Sequence, residues 1–122
     1  MNDRVVVIAG GLSPERDVSL RSGRRVAEDL KNAGFDAQVK DIDANLLADL
    51  LADPPTCAFP LVHGGAGEDG SLQEVLQAIN VPFVGSDAHS CRRSFDKAIA
   101  GSLVAAAGIS VPNSIALPQA MF

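Results

Sequence analysis

The sequence predicts an α/β fold: a Rossmann-like, mostly parallel sheet with helices on both faces. Three observations carry that expectation. Short apolar runs alternate with stretches of helical period, and most of these boundaries fall at glycine or proline. Only five residues are aromatic, all Phe, so Val, Leu, Ile and Ala must fill the core, as they do in sheets covered on both sides. A length of 122 residues with 47 % apolar content fits one compact domain.

Each element follows from its own pattern. Residues 5–9 are a continuous apolar run ending in Gly10-Gly11, a buried central strand running into a turn. Ser13-Pro14 then offers a cap hydroxyl and a first-turn proline to a helix carrying Val18, Val26, Leu30 and Ala33, closed by Gly34. Residues 35–39 form a second, more polar strand. Leu46, Leu47, Leu50 and Leu51 make a short helix stopped by Pro54-Pro55. Residues 57–62 are the third strand, with Pro60 marking a bulge or a free backbone position. Leu72, Val75, Leu76 and Ile79 give a third helix, residues 81–84 a fourth strand, and residues 94–107 a last helix closed by Gly108. The expected domain is 1–112. Residues 113–122, without a clear period, read as a linker or the start of a further domain that is cut short.

Composition narrows the partners. A net charge of -5 argues against nucleic acid and anionic membrane, both of which reward a basic surface. No secretory signal is visible, and the apolar runs fall far short of the roughly 20 residues a membrane span needs. Cys57 and Cys91 do not form a Cys-x-x-Cys pair, so a reducing cytoplasm is the expected compartment. His63 and His89 lack ligand spacing, and no metal site is expected.

The strand-end loops hold the chemistry. In an open parallel sheet, ligands bind beyond the carboxyl ends of the strands. Residues 10–16, 63–70 and 85–87 should therefore gather at one edge. The first loop has neither a dinucleotide fingerprint nor a P-loop. Its Glu15 is either a favourable first-turn acid or a contact for a ligand ammonium. The second loop holds four glycines in eight residues beside His63, Glu68 and Asp69. An imidazole there can orient a carboxylate or shuttle a proton, while Asp69 also suits the cap of the following helix. Asp87, His89, Arg92 and Arg93 form a polar stretch that could line the same cleft. Lys97 sits in the first turn of the last helix, where a cation is mildly unfavourable, so it is either solvated or waiting for an anion.

These residues fall into ordered motifs. Gly10-Gly11-Leu12-Ser13-Pro14-Glu15-Arg16-Asp17-Val18-Ser19-Leu20 and His63-Gly64-Gly65-Ala66-Gly67-Glu68-Asp69-Gly70-Ser71-Leu72-Gln73 resemble two motifs of the D-alanine–D-alanine ligases. Val81-Pro82-Phe83-Val84-Gly85-Ser86, with Asp96-Lys97 and Gly108-Ile109-Ser110-Val111-Pro112, resembles a third. The resemblance runs nearly end to end and implies the domain that precedes the ATP-grasp portion of those enzymes. It implies that Glu15 receives the α-ammonium of the first D-alanine, that His63 helps position it with Glu68 in support, and that Lys97 reaches the ATP side. It also implies ATP and Mg2+, held mainly by other domains, a cytoplasmic enzyme of peptidoglycan precursor synthesis, and a homodimer through this domain. Alternatives are a ligase for other amino acids and a non-catalytic binding module. The chain departs from the family pattern at Glu74, where glycine is usual, at Gln77, where glutamate is usual, at the charged stretch 87–93, and at Gly101, where a second lysine is common.

Overall fold

The computed structural model describes residues 2–118. Its sheet has three parallel strands, β1 (Arg4–Ile8), β2 (Asp36–Lys40) and β3 (Cys57–Pro60), in the order β2-β1-β3. Val6 pairs with Gln38 on one side and Ala58 on the other. The central strand is apolar throughout its interior because both faces are covered. Val6 and Ile8 join one core cluster while Val7, between them, joins another, the period of two that a strand imposes.

Helix α1 (Arg16–Asn32) covers the Val7 face, and α2 (Leu46–Ala52) and α3 (Ser71–Ala78) cover the other. The fully buried stripe of α1 is Ser19, Gly23 and Ala27; of the larger residues its period suggests, Val26 and Leu30 pack partly buried beside it, while Val18 is 54 % exposed. Small residues let the helix lie close to the sheet. A Cβ on Gly23 would stand 2.5 Å from the Ala9 Cβ. On the opposite face Leu46, Leu50, Leu72 and Leu76 close over Val6, Ile8 and Ala58.

Two expectations are corrected. Residues 81–84 do not form a fourth strand. They shrink to one parallel bridge, Ala58 to Phe83, held by the Ala58 N–H to Pro82 O (2.8 Å) and the Val84 N–H to Ala58 O (3.0 Å). Pro82 has no N–H to extend the ladder. The single helix over 94–107 is two, α4 (Ala88–Phe95) and α5 (Lys97–Ala106). Asp96 separates them in an extended conformation, and its carboxylate accepts the N–H groups of Ala98 and Ile99 (2.9 and 3.0 Å). A short acidic side chain that captures backbone donors starts a new helix instead of continuing the old one. The polar stretch 87–93 is thus mostly helix, capped by Asp87, and it escaped notice because only Ala88 of α4 is buried. Within the segment expected to follow residue 112, residues 113–118 have no regular structure and 119–122 lie outside the described residues.

Two polar clamps hold the strand ends. The Ser19 side chain, fully buried, accepts the Gly10 N–H (2.9 Å) and donates to the Leu61 carbonyl (2.6 Å). One hydroxyl thereby ties α1 to the exits of β1 and β3. Asp41, just after β2, accepts the Gly11 N–H (2.8 Å) and pairs with Arg16 (2.6 Å), whose guanidinium also donates to Gly11 O (2.9 Å). Partial burial raises the Asp41 carboxyl, but the Gly11 N–H and the Arg16 guanidinium outweigh it and hold the group below the usual carboxylate range.

Two outcomes follow from the clamps. Ser19→Ala leaves a buried donor and a buried acceptor unpaired, and should cost about 2–3 kcal/mol in a denaturant titration. A loss within experimental error would mean that water replaces the hydroxyl. Asp41, lowered in the fold and ordinary when unfolded, contributes stability above pH ~4 that disappears as pH falls through its lowered value. Asp41→Asn should therefore destabilise the chain at pH 7 and flatten its acid unfolding curve; parallel curves for both proteins would contradict the assignment.

Candidate functional site

The first and second strand-end loops meet, as their shared sheet edge requires. Ser13 is the join. It does not cap the helix, as the sequence suggested, because α1 begins at Arg16, two residues later than a Ser13 cap would place it. Its hydroxyl donates instead to the His63 carbonyl (2.8 Å) and accepts the Glu15 N–H (3.1 Å). Gly64, with φ of +74°, packs directly on Ser13; a Cβ there would approach the Ser13 Cβ and Oγ at 3.1 Å and Glu15 Oε1 at 3.8 Å. Both the backbone sign and the crowding call for glycine.

This junction brings Glu15, His63 and Glu68 together, with one ligand atom of each lying within 4.8 Å of the others. His63 Nδ1 stands 3.8 Å from Glu68 Oε1, too far for a hydrogen bond. Glu15 occupies the N-cap position of α1, yet its side chain makes no cap bond there. The first-turn-acid reading therefore leaves its carboxylate unused. Among the described residues no lysine or arginine pairs with Glu15 or Glu68: Arg16 is committed to Asp41 and Arg92 to Glu74. The mouth of the two loops carries an exposed acidic pair beside a half-buried imidazole.

Asp69 is not the cap expected of it: Gly70 holds the N-cap position, and Asp69 lies one residue before it. Its carboxylate accepts the N–H of Ser71, the first residue of α3 (2.9 Å). Gln73, which sequence reasoning passed over, is buried and donates to the Gly67 carbonyl (3.2 Å), bracing the loop from below. Its only sequence signal is a polar residue on the inner face of an apolar helix.

The third loop leads straight onto the second, where a Cβ on Gly70 would stand 2.5 Å from the Ala88 carbonyl oxygen, whereas Lys97 does not join the cluster. Residues 85–87 lead into α4, which docks on α3 through the Ala88 N–H to Gln77 Oε1 (2.8 Å) and the Arg92–Glu74 pair (3.0 Å). Three of the departures from the family pattern (Glu74, Gln77 and the charged stretch) thus meet at one helix–helix contact. Lys97 is the exposed first residue of α5 and borders a groove with Val111, Pro112 and Asn113. No hydrogen bond or ion pair among the described residues links it to Glu15, His63 or Glu68.

Comparison with known proteins shows what the chain resembles. Residues 37–86 match the family model described as D-ala D-ala ligase N-terminus. A D-alanine--D-alanine ligase of Paramagnetospirillum magneticum is 43 % identical over 114 residues, covering 91 % of this chain and 37 % of that protein. The D-alanine--D-alanine ligase of Bacillus anthracis, solved with ATP, superposes with a TM-score of 0.75 at 32 % identity, over 91 % of this chain and 38 % of that one. VanG D-Ala:D-Ser ligase of Enterococcus faecalis superposes at 0.76 and 30 % identity, over 93 % and 44 %. The chain spans little more than a third of the curated relative's length. With the family's N-terminal model on residues 37–86, and with ligases as its relatives and structural neighbours over most of its length, this chain is similar to the N-terminal part of the D-alanine–D-alanine ligases.

Proposed function

We propose that this chain is the substrate-side domain of a cytoplasmic ligase that joins two D-alanines at the expense of ATP for peptidoglycan precursor synthesis, and that Glu15 holds the α-ammonium of the first D-alanine. The observation that carries the reading is the uncompensated acidic cluster at the meeting of two strand-end loops. Three acceptors each about 2.9 Å from a tetrahedral ammonium nitrogen lie about 4.7 Å apart. The spread of up to 4.8 Å among Glu15, His63 and Glu68 matches that spacing. An amino acid must present its carboxylate to the phosphate donor, so its ammonium needs an anionic seat on the other side. Glu15 supplies the charge, His63 borders the same seat, and Glu68 supports it with a second carboxylate.

Among the described residues the nucleotide itself finds no cradle. The two Gly-rich loops carry Glu15 and Glu68, whose charges oppose a phosphate, and Lys97 stands alone on α5. Lys97 as a phosphate contact, and ATP with Mg2+ as cofactors, therefore require residues outside this domain, and no phosphoryl-transfer step is assigned to the residues present. The D-Ala:D-Ser neighbour supports placing only the first amino acid here: a domain shared by ligases named for different second substrates suits the substrate they have in common.

We further propose that the domain pairs with a second copy of itself. Ile42, Leu46, Leu47, Leu50, Leu72 and Val75 line an apolar groove of about 250 Å³ between α2 and α3. Leu47 and Val75 are 45 % and 42 % exposed.

Two measurements test these readings. In the intact ligase, Glu15→Gln should raise the KM for D-alanine roughly tenfold to a hundredfold, as expected for losing about 1–3 kcal/mol of charged hydrogen bonding. The melting temperature of the variant should stay near the parent's. Unchanged kinetics would remove Glu15 from the ammonium seat, and a collapsed melt would make its role structural. Sedimentation should show a dimer at high micromolar concentration that Leu47→Glu converts to monomer; a monomer throughout would discard the pairing.

A further inference from the structure

We propose that Gln77 is a positioning residue for the nucleotide half of the reaction: by holding the first turn of α4 it sets where Lys97 stands. The inference rests on the reading of Lys97 as a phosphate contact, and its closing experiment scores the two separately. Gln77 lies on the exposed side of α3. Its side-chain carbonyl accepts the Ala88 N–H at 2.8 Å. Only the oxygen of the amide can face that donor, so the side chain is oriented rather than free to flip. Gln73, four residues earlier on the same helix, braces the second loop at Gly67; Gln77 does the same for the third.

Three features give this one bond leverage. First, Ala88 opens α4 and is its one buried residue, and the N–H of a first helical residue has no partner within its own helix. Asp87 caps α4 locally through the Ser90 N–H, which secures the helix without directing it. Gln77 supplies a bond from another element and so fixes the start of α4 on α3. Second, the other ties at this contact are close or weak. The Ala88 carbonyl oxygen lies where a Cβ on Gly70 would come within 2.5 Å, so the two helix starts are in direct contact. The Glu74–Arg92 pair, a turn further along α4, joins exposed side chains, and such pairs contribute little. Third, the arm beyond has no other anchor in the core. Helix α5 buries no residue and packs on α4. Lys97, its exposed first residue, has no ion pair among the described residues. From Ala88 to Phe95 a helix rises about 11 Å, so a tilt of about 10° at its root moves its far end by about 2 Å. A shift of that size is enough to spoil a contact that must meet a phosphate oxygen.

The test splits the two substrates. In the intact ligase, Gln77→Leu should raise the KM for ATP about fivefold to tenfold and leave the KM for D-alanine within about twofold of the parent's. Gln77→Glu keeps an oxygen for the Ala88 N–H and should return the ATP KM to within about twofold. Lys97→Gln should raise the ATP KM at least as much as Gln77→Leu, and the double variant should be little worse than Lys97→Gln alone. In the 122-residue chain, exchange of the Ala88 amide hydrogen should quicken in Gln77→Leu and not in Gln77→Glu, with both melting temperatures near the parent's. The outcomes separate the readings. An impaired Lys97→Gln beside an unaffected Gln77→Leu overturns the role of Gln77 and keeps that of Lys97. A parent-like ATP KM in Lys97→Gln removes the lysine from the nucleotide and this inference with it. Equal rises in both KM values, no rescue by Gln77→Glu, additive effects in the double variant, or unchanged exchange at Ala88 would each overturn the proposal.

Discussion

The hydroxyl of Ser19 is the contact on which the site depends. It lies at the sheet's carboxyl edge, where the parallel strands β1 and β3 end and their backbone groups lose their ladder partners. Helix α1 approaches closely enough to serve them only because Gly23 and Ala27 are small on the same face. Ser19 then satisfies the Gly10 donor and the Leu61 acceptor at once. An unpaired pair of this kind in the interior would cost several kcal/mol. With both strand exits pinned to one helix, the two loops that follow them emerge side by side.

From that point the loops organise each other. Asp41 and Arg16 hold Gly11 from the β2 side, and Ser13 bonds across to His63. Glu15 and Glu68 are left close to the His63 imidazole, with no lysine or arginine paired to either among the described residues. Like charges gathered without compensation are unfavourable to folding, and the arrangement makes sense where a cation completes it. The buried amide of Gln73 braces the loop backbone at Gly67, so that the acidic pair stands on a supported floor rather than a free loop.

The helical arm formed by α4 and α5 follows different physics. It is attached through α3 by Gln77 and the Glu74–Arg92 pair, and α5 has no buried residue at all. Phe95, Ile99 and Leu103 remain 44–46 % exposed. The arm is therefore made by local capping, Asp87 for one helix and Asp96 for the other, more than by packing on the sheet. Three of the departures from the family pattern, Glu74, Gln77 and the charged stretch, meet at its contact with α3.

The sequence by itself determined the alternation of strands and helices, the parallel sheet with both faces covered, and the placing of Glu15, His63 and Glu68 beyond strand ends. These are consequences of period and of strand polarity, which short segments carry within themselves. The tertiary structure alone decided the rest. Val18 lost its place in the α1 seam to Ser19 and Gly23, because how near a helix can approach a sheet depends on both surfaces. Residues 81–84 became a bridge because Pro82 could not feed a ladder whose partner lies elsewhere in the chain. Ser13 turned from a cap into a cross-loop tie, since its acceptor belongs to His63, fifty residues away. Local preferences are written residue by residue, but which polar groups find each other is settled only when distant loops are brought to the same edge.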